Sequence, residues 1–144
     1  MREQSIAAKI KKSHLGIYAI IEKEQNILLV RKSRGPYQGM LDLPGGRSEH
    51  GETIFQTLQR EVMEETGILL IDAAPHSNHA FLVEYKDGEE IISFHHTCLI
   101  YKAIQFDSSQ FRENVNEEDV AGCSWVEKSQ LSHLPLSKVV LCVV

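Results

Sequence analysis

The sequence predicts a single mixed α/β domain. Short apolar segments rich in Val, Ile and Leu recur between turn signals, as strands do. One segment, 53–66, instead spaces its apolar residues as a helix does. No linker, internal repeat or low-complexity stretch interrupts the chain. Its 144 residues are one domain's length, because separate cores arise only in much longer chains.

The elements follow in order. Residues 1–14 are polar, with Lys9, Lys11 and Lys12, and read as an N-terminal arm of a domain filling 1–144. Segments 15–22 and 27–30 read as two strands of a hairpin around a polar turn. Gly35-Pro36 and Gly39 make 32–39 a loop. A short extended piece, 41–43, is broken by Pro44-Gly45-Gly46. In 53–66, Ile54, Phe55, Leu58 and Val62 share a helical face, and Gly67 supplies the stop. Segments 68–71 and 80–85 read as strands, and Asp87-Gly88 is a hairpin signal before a long strand at 91–103. The polar stretch 105–119 reads as loop. A last strand, 121–126, carries Trp125. Segments 127–134 and 136–141 read as short helices, with 139–144 equally compatible with a strand.

Composition narrows the function classes. Hydrophobic residues at 42%, charged at 24%, 9 Gly and 4 Pro exclude collagen-like and disordered classes. The longest apolar runs, 15–21 and 139–144, fall short of the roughly 18–20 residues of a membrane span. The first residues, MREQSIAAKIKK, lack the apolar core of a signal peptide, so the expected location is cytoplasmic. Cys98, Cys123 and Cys142 have no zinc-ligand spacing and read as reduced, buried thiols. The net charge of −5 argues against polymeric nucleic acid as a partner. It also sits awkwardly with a polyphosphate.

The segment GRSEHGETIFQTLQREVMEETGI, residues 46–68, resolves that tension. On a helix Glu61, Glu64 and Glu65 fan over an arc of roughly 100°. Like charges at these offsets repel, and the C-terminal turn of a helix is the wrong end for anions. Glu61 and Glu65 also border the apolar stripe, within about 20° of the Ile54 direction. A solvated acidic face is the plain reading of any such triplet. A hard divalent cation that prefers oxygen ligands is the functional one. The segment holds five acids against two bases, −3 of the −5, so much of the acidity belongs to a candidate cation site.

The spacing G-x5-E-x7-R-E-U-x-E-E-x-G-U, with U bulky and aliphatic, is filled by Gly46, Glu52, Arg60, Glu61, Val62, Glu64, Glu65, Gly67 and Ile68. Nine such constraints coincide by chance roughly once in a billion starting positions. The segment resembles the Nudix box of the Nudix hydrolase family, with no departure at a fixed position. LLVRKS at 28–33, DLPGG at 42–46 and SWVEKSQL at 124–131 resemble the family's flanking elements. The resemblance implies a Nudix fold, a mixed β-sheet sandwiched between helices in an α/β/α arrangement.

The resemblance also implies metal-dependent hydrolysis of a pyrophosphate bond in a nucleoside diphosphate derivative. Glu61, Glu64 and Glu65, with the Gly46 carbonyl, would hold Mg²⁺ or Mn²⁺. Arg60 would orient the glutamates, and Glu52 would hold the loop–helix junction or a further metal through water. One of the three glutamates, or a loop acid, would take a proton from water. Glu118 is the candidate among Glu117, Glu118 and Asp119. Leu41 stands where relatives often carry an aromatic residue, so stacking from that position is absent.

Arg31, Lys32 and Arg34 follow the second strand and are candidates for substrate phosphates. His95 and His96 point to opposite faces of a strand, one of them buried and hydrogen-bonded. Trp125, Tyr37 and Phe94 stand as core aromatics or base-stacking rings. The family's ADP-ribose subgroup carries a proline where this chain has Val83-Glu84-Tyr85. Tyr85, 17 residues beyond Ile68, resembles the dinucleoside polyphosphate subgroup. The leading substrate is a nucleoside triphosphate, plain or modified, giving monophosphate and pyrophosphate. The alternatives are a dinucleoside polyphosphate or a non-catalytic nucleotide-binding module. Family resemblance leaves a homodimer open.

Overall fold

The computed structural model describes residues 8–144. The elements are β1 (Ile10–Ile20), β2 (Glu22–Lys23), β3 (Asn26–Lys32), β4 (Leu41–Asp42), β5 (Gly45–Gly46), α1 (Ile54–Thr66), β6 (Leu69–Asp87), β7 (Glu90–Asp107), β8 (Asn116–Glu117), β9 (Val120–Glu127), a 3₁₀ helix (Lys128–His133) and α2 (Lys138–Leu141). They form two sheets. One runs β5-β1-β7-β6, with β1 and β7 parallel and the other pairs antiparallel. The other runs β2-β3-β9-β8, antiparallel throughout, with β4 also on β3.

Residues 16–20 of β1 and 27–30 of β3 are buried on both faces. Ile17, Ala19 and Ile21 join Leu28 and Val30 in a core with Leu58 and Val62 of α1. The alternate residues Tyr18, Ile20, Ile27 and Leu29 join a second core with Leu131, Val139 and Val140. Helix α1 thus covers one side and the C-terminal helices the other, giving helix, sheet and helix layers. Double-sided burial explains the near-continuous apolar runs of these strands.

Local chemistry sets the ends of α1. Thr53 Oγ1 accepts the Gln56 N–H at 3.1 Å and Gln56 Oε1 accepts the Thr53 N–H at 2.9 Å, a reciprocal capping box. Gly67 closes the helix at φ 78°, where a Cβ would lie 2.1 Å from the Gln110 carbonyl oxygen.

Several elements differ from the sequence expectation. β1 begins at Ile10, so residues 10–14 are strand and not arm; residues 1–7 lie outside the described residues. β1 and β3 are in different sheets, and the two-residue β2 takes the place of β1 in the hairpin with β3. Segments 68–71 and 80–85 merge into the single strand β6. Register shifts between Leu70 and Ser77 carry the ladder past Pro75 on this edge strand. Within 127–134, residues 128–133 wind as 3₁₀ helix, and the last element is α2, not a strand. Among the described residues no helix is long and apolar enough to cross a membrane.

Candidate active site

The glutamates of α1 meet the turn at β5. Glu65 is 5% exposed, and its Oε1 accepts the Gly45 N–H at 2.9 Å. Arg60 gathers the remaining carboxylates. Its Nε donates to Glu52 Oε2 at 2.7 Å, Nη1 to Glu61 Oε1 at 2.9 Å and to Glu64 Oε1 at 3.4 Å, and Nη2 to the Arg47 carbonyl at 3.0 Å. Thr57 Oγ1 donates to Glu52 Oε1 at 2.9 Å, fixing the loop onto the helix. Glu61, Glu64, Glu65, Arg60 and Gly46 line one cavity of about 290 Å³.

Electrostatics divide the acids. Burial pushes the Glu61 carboxyl up, and Arg60 beside it only partly offsets this. Burial and then the Glu61 charge raise Glu65 further, against the Gly45 N–H. Glu52 is pulled down to about 2 by its hydrogen bonds from Arg60. Arg60 lowers Glu61 and Lys32 lowers Glu65, yet both carboxyls stay raised, so the pair is short of positive charge.

The donor set fits a hard cation, since it consists of carboxylates beside a backbone turn. A Cβ on Gly46 would lie 2.8 Å from the Glu61 carboxyl carbon, so only glycine leaves that approach open. Among the described residues no ready-made metal cage of three His, Cys, Asp or Glu side chains is formed. Glu61 and Glu64 turn instead to Arg60, and Glu65 to Gly45.

A second cavity, of about 390 Å³, shares His14, Tyr18, Lys32 and Asp119 with the first. Phe94, Tyr85, Tyr37 and His96 also line it. His96 is 1% exposed; its Nε2 bonds the Tyr18 hydroxyl at 2.8 Å and its Nδ1 the Tyr37 hydroxyl at 2.7 Å.

A family model described as the NUDIX domain matches residues 12–140. The chain belongs to the NUDIX family. A nucleoside triphosphatase, NudI of Escherichia coli, is 32% identical over 82% of this chain and 84% of its own. An ADP-ribose pyrophosphatase of Methanocaldococcus jannaschii is 42% identical over 38% of this chain and 32% of its own. The match thus spans about a third of the archaeal protein's length, and half or less of several other curated relatives. The MutT NUDIX hydrolase structure from Burkholderia pseudomallei superposes with a TM-score of 0.61 at 28% identity, covering 81% of this chain and 84% of that one.

Within this NUDIX domain the remaining sequence candidates separate. Glu118 lines the first cavity, but its side chain is 86% exposed and lies 3.8 Å from Arg34. Asp119, 39% exposed at its side chain and paired with Lys32, is the more enclosed loop acid. Arg34 and Tyr85 line the second cavity. Arg31 lines a third cavity that shares no residue with the other two. Lys32, the next residue of β3, lines both of the other cavities.

Sequence reasoning missed His14, Tyr18 and Arg47. Arg47 directly follows Gly46 in the box and was legible there. His14, Gly16 and Tyr18 share one face of β1 by alternation, but His14 falls in the segment read as arm. Leu41 is buried in the second core and bridges to Leu136.

Proposed function

We propose that this NUDIX domain hydrolyses a pyrophosphate bond in a nucleoside diphosphate derivative, using Mg²⁺ or Mn²⁺. Its leading substrate is a nucleoside triphosphate, cleaved to monophosphate and pyrophosphate. The observation that carries the reading is the meeting of Glu61, Glu64 and Glu65 in one cavity with Gly46. The likeness to a nucleoside triphosphatase over 82% of the chain supports the substrate class.

Glu61, Glu64, Glu65 and the Gly46 carbonyl would hold the cation. When bound, the ion acidifies water and polarises a phosphoryl oxygen. Arg60 orients Glu61 and Glu64 and keeps Glu52 ionised beside them. Arg47 and Lys32 bring positive charge to the cavity for the phosphates. Water adds to one phosphorus, the bridging P–O bond breaks, and a carboxylate of the cavity takes the water's proton. Glu118 and Asp119 are the loop acids within that cavity.

Tyr85 in the second cavity supports a dinucleoside polyphosphate as the second reading. Product analysis over nucleoside triphosphates, dinucleoside polyphosphates and ADP-ribose, with and without Mg²⁺, tests both. Monophosphate and pyrophosphate from a triphosphate, only with metal, is the expected result. No turnover of any of these compounds would leave a nucleotide-binding module as the surviving description.

A further inference from the structure

The Tyr18–His96–Tyr37 chain has no part in holding the carboxylates, yet it is the most enclosed polar cluster of the second cavity. Tyr18 is 5% and Tyr37 4% exposed. Rings of His14, Phe81 and Phe94 pack edge-on against His96 at centroid distances of 5.1, 5.5 and 5.3 Å. Tyr18 lies where two glycines make room. A Cβ on Gly16 would lie 2.3 Å from the Tyr18 hydroxyl oxygen, and one on Gly45 would lie 2.7 Å from the Tyr18 Cα.

Proton counting gives the chain a direction. Burial pushes the His96 pKa down to about 3, so the ring is neutral at physiological pH. A neutral imidazole has one N–H and one bare nitrogen. One tyrosine must therefore donate to His96 and the other must accept from it. The accepting tyrosine keeps its own hydroxyl proton, and neither hydroxyl has a second protein partner among the described residues. A buried donor without an acceptor is costly, so this proton is directed at something in the cavities. Tyr37 lines only the second cavity, whereas Tyr18 lines both, beside Lys32 and the Gly45–Gly46 turn.

We propose that Tyr18 is the accepting tyrosine and that its hydroxyl donates a hydrogen bond to a phosphate oxygen of the substrate, with His96 and Tyr37 as positioning residues. In this arrangement Tyr37 donates to Nδ1, the His96 Nε2–H donates to the Tyr18 oxygen, and the Tyr18 O–H points to the junction of the cavities. The identity of the ligand rests on the proposed function; the direction of the chain does not.

Two measurements on the full chain test it. The ¹⁵N resonances of His96 report its tautomer, and calorimetry with inorganic pyrophosphate in Mg²⁺ buffer reports the contact. The expected results are an Nε2–H tautomer and pyrophosphate binding weakened about tenfold or more in Tyr18→Phe, with a smaller loss in Tyr37→Phe. Thermal unfolding confirms that each variant is folded. An Nδ1–H tautomer, no pyrophosphate binding by the wild type, binding by Tyr18→Phe within twofold of wild type, or a loss in Tyr37→Phe as large as in Tyr18→Phe overturns the proposal. Failure of the proposed function looks different: pyrophosphate would still bind through Tyr18 while no nucleotide is turned over.

Discussion

Glu65 Oε1 accepts the Gly45 N–H at 2.9 Å, so a carboxylate on the last turn of α1 pins the turn that borders the cavity. This carboxylate is buried beside that of Glu61 with little compensating charge. Glu65→Gln keeps an acceptor for Gly45 and removes the like charge. Its thermal midpoint without metal is expected at or above that of wild type, while its activity falls. A midpoint several degrees lower would show that the charge itself stabilises the fold.

Gly45 and Gly46 are adjacent but predict different failures. A Cβ on Gly45 would lie 2.1 Å from the Ile17 carbonyl oxygen, a backbone atom that cannot move freely, at φ 148°. Gly45→Ala is therefore expected to lower stability by several degrees in a melting experiment. A Cβ on Gly46 meets only the carboxylate of Glu61, between 2.8 and 3.0 Å away. Gly46→Ala is expected to melt near wild type and to lose most of its metal-dependent activity.

Arg60 acts through the carboxylates it holds. Arg60→Ala is expected to lower Mg²⁺ affinity about 10–100-fold, as loss of an orienting partner does at metal sites. Metal titration followed by calorimetry checks this. Arg60→Lys is expected to recover little, because one ammonium cannot reproduce the fork that reaches Glu52, Glu61 and Glu64.

His96 makes stability depend on pH. Its pKa in the fold is about 3, below the ordinary value of 6.5. The unfolded chain therefore binds the extra proton first as pH falls. The contribution is fully present above about pH 6.5 and is lost progressively down to about pH 3. At pH 5 the loss is about 2 kcal/mol from this group. Denaturant unfolding at pH 7 and pH 5 measures it, and His96→Gln should show a smaller difference between the two.

Much of the site was legible because the box is local. Arg60, Glu61, Glu64 and Glu65 lie within two turns, and their helix is announced by its apolar face and by Gly67. On a helical wheel Glu65 stands at the edge of the core-facing stripe, and it is buried there. The long-range partners were not legible. β1 pairs in parallel with β7, about 80 residues away, and no local pattern encodes that register. Both faces of β3 are buried over residues 27–30, so alternation could not tell which of Arg31 and Lys32 reaches the cavity. The bonds from Tyr18 and Tyr37 to His96 likewise join residues 78 and 59 positions apart.

If the glutamates of α1 hold a divalent cation for phosphoanhydride hydrolysis, neutralising one of them must cost metal-dependent turnover. Glu64, 47% exposed at its side chain, can be changed with little cost to the fold. The most direct measurement is pyrophosphate release from nucleoside triphosphates by wild type and Glu64→Gln across a Mg²⁺ titration. The expected result is Mg²⁺-dependent turnover by the wild type and a loss of about a hundredfold or more in the folded variant, in line with removal of about 2.7 kcal/mol of transition-state stabilisation. Turnover by Glu64→Gln equal to wild type, or turnover indifferent to Mg²⁺, would contradict it.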